Sequence, residues 1–200
     1  MVIDGDLTFI EETHRYLYKG VLLPSVSEIL HFIFPNKYKG VSKDTLSKKA
    51  IYGSTIHEYI EKFENGRYNE LPDLDIYQKM SIKQFQRLKV KYNIEVLEQE
   101  KMIHFEDKYA GRFDMIANVN SKESLCDIKT TATLDEEYLS WQLSFYELAY
   151  GKKFKKLYAI WLPKKELARI IEIKRKPKSE LLKKLKEYEK WKASQEIHTG

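Results

Sequence analysis

Between residues 94 and 130 the chain runs through three segments with the two-residue period of β-strands, and the last carries charge inside an apolar run. Residues 94–105, 109–119 and 125–130 are separated by the turn sequences Glu106-Asp107-Lys108 and Asn120-Ser121-Lys122, which predicts an antiparallel meander at the centre of a sheet. In the third segment, Leu125-Cys126-Asp127-Ile128-Lys129, an aspartate and a lysine stand two positions apart. Successive strand side chains alternate in direction, so Asp127 and Lys129 share a face while Ile128 points into the core. A lone charge there would be costly to bury. An opposite pair facing Asp114, on the neighbouring strand, marks a site instead.

The remaining pattern fits around that meander. Residues 7–22 place aromatic and branched positions on both sides of Glu11-Glu12-Thr13-His14 and predict an amino-terminal β-hairpin over one edge of the fold. Ser25 or Ser27 can cap a short helix in which Val26, Ile29, Leu30 and Ile33 have helical spacing, before Pro35 ends it. A longer helical pattern covers residues 42–63, with a break expected at Gly53-Ser54 one turn before His57, and another covers 75–92. After the meander come a helix over 135–150, a strand pair over 154–162 and 167–174, and a final helix over 179–194. The order predicts an α/β fold, a central mixed sheet flanked by helices with an N-terminal β-hairpin.

Two hundred residues, 42% of them apolar and without a Pro/Gly/Ser-rich linker, are expected to bury one core and form a single domain over 1–200. Within it lie the hairpin (1–24), the catalytic sheet (94–175) and a basic C-terminal helix (177–195). The single cysteine, Cys126, rules out a disulfide framework and a four-cysteine metal site built from this chain. No apolar run is long enough to span a bilayer, and Asp4, Asp6, Glu11 and Glu12 stand where a targeting segment would be basic and then apolar. A cytoplasmic protein with no membrane partner is the expectation. The formal charge of +5 suits a polyanionic partner without demonstrating one.

Carboxylates converging with an amine suit metal-assisted phosphodiester hydrolysis, which needs an activated water and neutralisation of charge on phosphoryl oxygens. Asp114 and Asp127 fit as ligands to a hard divalent ion such as Mg2+, and Lys129 fits as the fixed cation that holds water or phosphate. A third acidic ligand is expected from the preceding strand, where Glu98 and Glu100 lie two apart; Glu100 is favoured and Glu98 is the alternative. Taken singly, each is an ordinary residue of an amphipathic strand. Their ordered combination is what points to a site.

Four further stretches accompany this pattern: Pro24-Ser25-Val26, Gly53-Ser54-Thr55-Ile56-His57-Glu58, Tyr109-Ala110-Gly111-Arg112-Phe113-Asp114 and Gln142-Leu143-Ser144-Phe145-Tyr146. Together they resemble the PD-(D/E)xK nuclease superfamily, in its RecB-like exonuclease branch of phage-type and mitochondrial genome-maintenance members, over roughly residues 16–150. The resemblance implies a restriction-endonuclease-like core and a metal-dependent DNA exonuclease of phage-type replication, recombination or repair, using Mg2+ with Mn2+ able to substitute. It implies His57, Asp114, Asp127, Glu100 and the carbonyl of Ile128 as metal ligands, and Lys129 as the catalytic lysine acting with Asp127, Asp114 and Glu100. Gln142 and Tyr146, four apart on one helical face, would contact substrate with Arg112 and Thr130. Members that carry an iron-sulfur cluster hold it with four cysteines, so no such cluster is expected here. No G-x-x-x-x-G-K-[ST] motif is present, so unwinding would fall to a partner, and a single-strand-binding, annealing or helicase protein suits that role.

Two basic regions can meet DNA. One is Lys174-Arg175-Lys176-Pro177-Lys178 with the following helix; the other is Lys37, Lys39, Lys43, Lys48 and Lys49, with Tyr38 and Phe34 able to stack on an unpaired base. Two rival functions share the fold: a catalytically silent nucleic-acid-binding recombination accessory protein, and a structure-specific endonuclease. Intact Asp114, Asp127 and Lys129 weigh against the first.

Overall fold

The computed structural model describes residues 2–197. Its smaller sheet is antiparallel, in the order β1 (Val2–Asp4), β2 (Leu7–Ile10), β3 (Arg15–Tyr18), β4 (Val21–Leu23). The expected hairpin is the central pair, with Phe9 opposite Tyr16. It widens to four strands because Gly5 and Gly20, at φ 58° and 81°, turn the chain back on either side. Leu7, Phe9, Tyr16 and Leu23 pack on Met102 and Ala110, so this sheet covers one end of the main one. Ala110 also donates its N–H to Pro24 O at 2.9 Å, which fastens the start of α1 (Val26–Ile33) to the main sheet. Ser25 is the cap of that helix: its hydroxyl accepts from Glu28 N, and Glu28 accepts in return from Ser25 N.

The main sheet runs β5 (Ile94–Phe105), β6 (Tyr109–Val119), β7 (Lys122–Lys129), β8 (Lys156–Trp161), β9 (Arg169–Glu172). The β5–β6–β7 meander is antiparallel, β8 joins β7 in parallel and β9 returns antiparallel, which makes the sheet mixed. A parallel neighbour requires a long crossover, and α4 (Glu136–Tyr150) supplies it. On one face α1, α4 and α5 (Lys178–Ile197) bury Ile29, Leu30, Leu143, Phe145 and Leu181 against Phe113 and Leu125. On the other, α2 (Lys43–Glu64) and α3 (Ile76–Lys91) bury Ile56, Ile60, Ile82 and Phe85 against Met115, Cys126 and Ile128. Among the described residues no helix is long and apolar enough to cross a membrane.

The break expected at Gly53-Ser54 does not occur, and α2 is continuous through it. Ser54 and Thr55 satisfy their hydroxyls on Ile51 O within the helix. Gly53 is there for space: a Cβ would stand 3.2 Å from Thr130 Oγ1, so the missing side chain lets α2 lie close against the end of β7. The basic run before α5 is also partly spent on the fold. Arg175 and Lys176 pair with Glu147 and Glu137 of α4, and Leu181, Leu185 and Tyr188 turn the helix's apolar stripe inward.

Glu147, 9% exposed, accepts from Arg175 Nε at 2.5 Å, Arg175 Nη2 at 2.9 Å and Phe154 N at 2.8 Å, tying the end of α4 to the segments flanking β8 and β9. Glu147→Ala leaves the Arg175 guanidinium with only the Phe154 carbonyl and the buried Phe154 N–H without its acceptor. The expected loss is about 2–4 kcal/mol, seen as a lower urea midpoint at unchanged m-value. An unmoved midpoint would show the pair to be dispensable.

Candidate metal centre

The site forms where the main sheet stops being regular. In β5 and β6 the ladder pairs Gln99 with Met115 and Lys101 with Phe113, leaving Glu100 and Asp114 opposite each other but outside it. Glu100 has φ 47°, a left-handed conformation that costs a residue with a Cβ on the order of 1 kcal/mol. On the far side of β6 the ladder to β7 ends at Met115 with Cys126. Beyond it Asp114 Oδ2 accepts from Ile128 N at 2.6 Å, so a side chain stands in for the strand partner. Alternation reverses here too: Phe113 belongs to the core under α4 and Met115 to the core under α2, although they lie two apart.

These irregularities separate Glu98 from Glu100, which strict alternation puts on one face. The left-handed turn at Glu100, where the ladder skips a pair, sends them apart. Glu98 accepts from Tyr150 Oη of α4 and from Lys101 Nζ, each at 2.7 Å. Glu100 reaches toward α2, where its Oε1 lies 3.8 Å from His57 Nδ1. Asp114 Oδ1 is 3.6 Å from the same nitrogen. One ligand atom each from His57, Glu100 and Asp114 therefore gathers within 4.8 Å of the others. The carbonyl of Ile128, expected among the ligands, faces His57 Nε2 at 3.1 Å and fixes the ring so that Nδ1 points at the carboxylates.

Asp127 lies outside that trio. It is 1% exposed, and its Oδ1 has no partner. Its Oδ2 is paired with Lys129 Nζ at 2.5 Å. Burial pushes the Asp127 carboxyl up, and the charge of Asp114 adds to that against the pull of Lys129. Burial also opposes the charge on Lys129, but Asp127 and Asp114 outweigh it and hold the amine charged. At His57 burial favours the neutral ring; Asp114 and Glu100 override it and raise the pKa from 6.5 to about 9. Protons and ammonium groups thus neutralise a concentration of carboxylate that a divalent cation would neutralise better. One imidazole nitrogen with carboxylate oxygens, among them the buried and partnerless Asp127 Oδ1, fits such an ion.

The trio and Lys129 open onto a cleft of about 600 Å³, whose walls include Arg112, Thr130 and Tyr146. Arg112 Nε lies 3.0 Å from Glu100 Oε2. Tyr146 leans over Gly111, where a Cβ would stand 2.7 Å from its ring, so only glycine leaves room for it. Gln142 donates to Tyr146 Oη at 3.3 Å, keeps a buried carbonyl oxygen without a partner, and does not line the cleft. The N-terminal sheet adds Glu11, His14 and Tyr16 to the wall. Sequence reasoning missed these three, since nothing local marks a residue as facing a cleft completed ninety positions later.

No protein-family model matches the sequence, and a search of curated proteins finds no match. Among solved structures, the chain is similar to the protein SSO0001, at 16% identity and a TM-score of 0.45 over 82% of this chain and 72% of that one. It is also similar to a phage-related exonuclease from Haemophilus somnus 129PT, at 14% identity and a TM-score of 0.41 over 83% and 89%. Both likenesses are too distant to bear on the residues of the site.

In the metal-free protein the His57 ring is expected to titrate near pH 9, followed by the pH dependence of its imidazole C–H resonances. Because the folded pKa is the raised one, the charged ring contributes stability that is fully present below 6.5 and lost as pH rises through about 9. His57→Gln should remove that part of the slope. A midpoint at or below 6.5 would show that Asp114 and Glu100 do not hold a charged ring.

Proposed function

We propose that the protein is a metal-dependent nuclease that hydrolyses phosphodiester bonds of DNA. The observation that carries this is the convergence of His57, Glu100 and Asp114 on one point, beside a charged lysine held by a buried aspartate in the same cleft. His57 Nδ1 and the carboxylates of Glu100, Asp114 and Asp127 would hold the ion, Mg2+ with Mn2+ as its substitute. When bound, the ion would supply charge neutralisation at the phosphoryl group and a water acidified toward neutral pH.

The protein's own groups do the positioning. Ile128 serves twice, its N–H locking the Asp114 carboxylate and its carbonyl orienting the His57 ring. Both ligands are thereby fixed by backbone before substrate arrives, which removes reorganisation from the reaction. Lys129, fixed by Asp127 and about a quarter exposed, presents a cation to the cleft where a phosphoryl oxygen gathers charge. Arg112, paired with Glu100 at the rim, supplies a second cation beside the phosphate. In this reading residues 1–200 act as one nuclease domain, an exonuclease of replication, recombination or repair.

The test is digestion of end-labelled linear single- and double-stranded DNA, beside a closed circle, in Mg2+, Mn2+ or EDTA. Wild type is expected to degrade linear DNA only with metal. Lys129→Ala should lower the rate by about a hundredfold or more while keeping a wild-type circular dichroism spectrum. His57→Ala should raise the metal concentration required. Cleavage persisting in EDTA, or undiminished in Lys129→Ala, would sink the assignment.

A further inference from the structure

The cleft that holds the metal residues continues into a larger one of about 1100 Å³, and the two share Lys49, Thr130 and Thr131. The second cleft lies between the segment joining α1 to α2, the loop after β7 and the turn between β8 and β9. Its three carboxylates are already paired: Asp135 with Lys37, Asp44 with Lys48 at 2.8 Å, and Glu166 with Arg169 at 2.8 Å. What remains is a surplus of positive charge. Lys49 and Lys165 are exposed and have no acidic partner among the described residues, and Lys164 lies over the ring of Tyr52 at 3.5 Å. Aromatic surface is interleaved with these cations, most openly at Tyr38, which is 44% exposed. Tyr38 lines this cleft with the Lys37 amine 5.9 Å from its ring centre, and Lys49, Thr130 and Thr131 connect the cleft to the one holding the metal residues.

We propose that this second cleft is the path of a single nucleic-acid strand toward the metal residues, with Tyr38 stacking on an unpaired base and Lys49, Lys164 and Lys165 holding its phosphates. A backbone-tracking row of cations beside an exposed ring is the chemistry that single strands require. Bases inside a duplex are stacked on both faces and offer none to such a ring, so Tyr38 favours an unstacked single strand. The strand's route into the reacting centre rests on the nuclease reading; its binding in the cleft does not.

Binding is therefore measured without cleavage, as fluorescence anisotropy of a labelled oligo(dT) and of a blunt duplex in EDTA. Tyr38→Ala is expected to weaken oligo(dT) binding about tenfold and to leave duplex binding unchanged, and Tyr38→Phe to retain both. Lys49→Glu with Lys165→Glu should lower the slope of log affinity against log salt by about 1.4, the loss of two phosphate contacts to a single strand. Equal losses on strand and duplex, or no loss in any variant, would overturn the proposal. Digestion with metal separates the two ideas. A wild type that never cleaves yet binds oligo(dT) through Tyr38 removes the nuclease reading and keeps the cleft. Wild-type cleavage with binding indifferent to Tyr38 and to both lysines keeps the nuclease and removes the cleft.

Discussion

The hydrogen bond from Ile128 N to the Asp114 carboxylate is the point on which the rest of the site turns. A backbone donor at the end of a central strand must find an acceptor, and regular pairing would have supplied a carbonyl of β6. Supplying a carboxylate instead parts the two strands and places a charge in the gap. The parting reverses the alternation of β6, brings Asp114 to the side where α2 lies, and leaves Glu100 outside the ladder. Irregularity in the sheet is thus the means by which three ligands from three elements come to face one another.

That arrangement demands support from elsewhere. Helix α2 must approach β7 closely for His57 to reach Ile128, and Gly53 permits it by presenting no side chain to Thr130. On the opposite face Gly111 gives the Tyr146 ring its place. Both glycines mark close contacts beside the cleft.

Much of this was legible in the sequence. The strand and helix segments follow from hydrophobic period and turn residues, and the mixed sheet flanked by helices follows from their order. The pairing of Asp127 with Lys129 follows from the two-residue alternation of β7, which the parallel ladder to β8 keeps regular through Lys129. Where alternation fails, sequence reasoning fails with it: Glu98 and Glu100 were given one face, and only a positive φ at Glu100 shows why they diverge. Gly53-Ser54 was read as a helix break because local propensity is blind to what the helix packs against. The N-terminal strands contribute Tyr16 and His14 to the cleft through tertiary packing that carries no local signal. The basic run at 174–178 read as a surface for phosphates, yet Arg175 and Lys176 are spent on carboxylates of α4.

Cys126 gives the site a reporter of its own. It is the chain's only thiol, completely buried beside Asp127 and facing the core under α2 while its neighbour faces the other way. A thiol reagent reaches it when the core between α2, α3 and the main sheet opens, and the remaining 199 residues contribute no competing sulfhydryl. The rate of its modification is therefore a clock for opening of the core that holds α2, and with it His57, against the strand carrying Asp127 and Lys129, read without substrate or mutation.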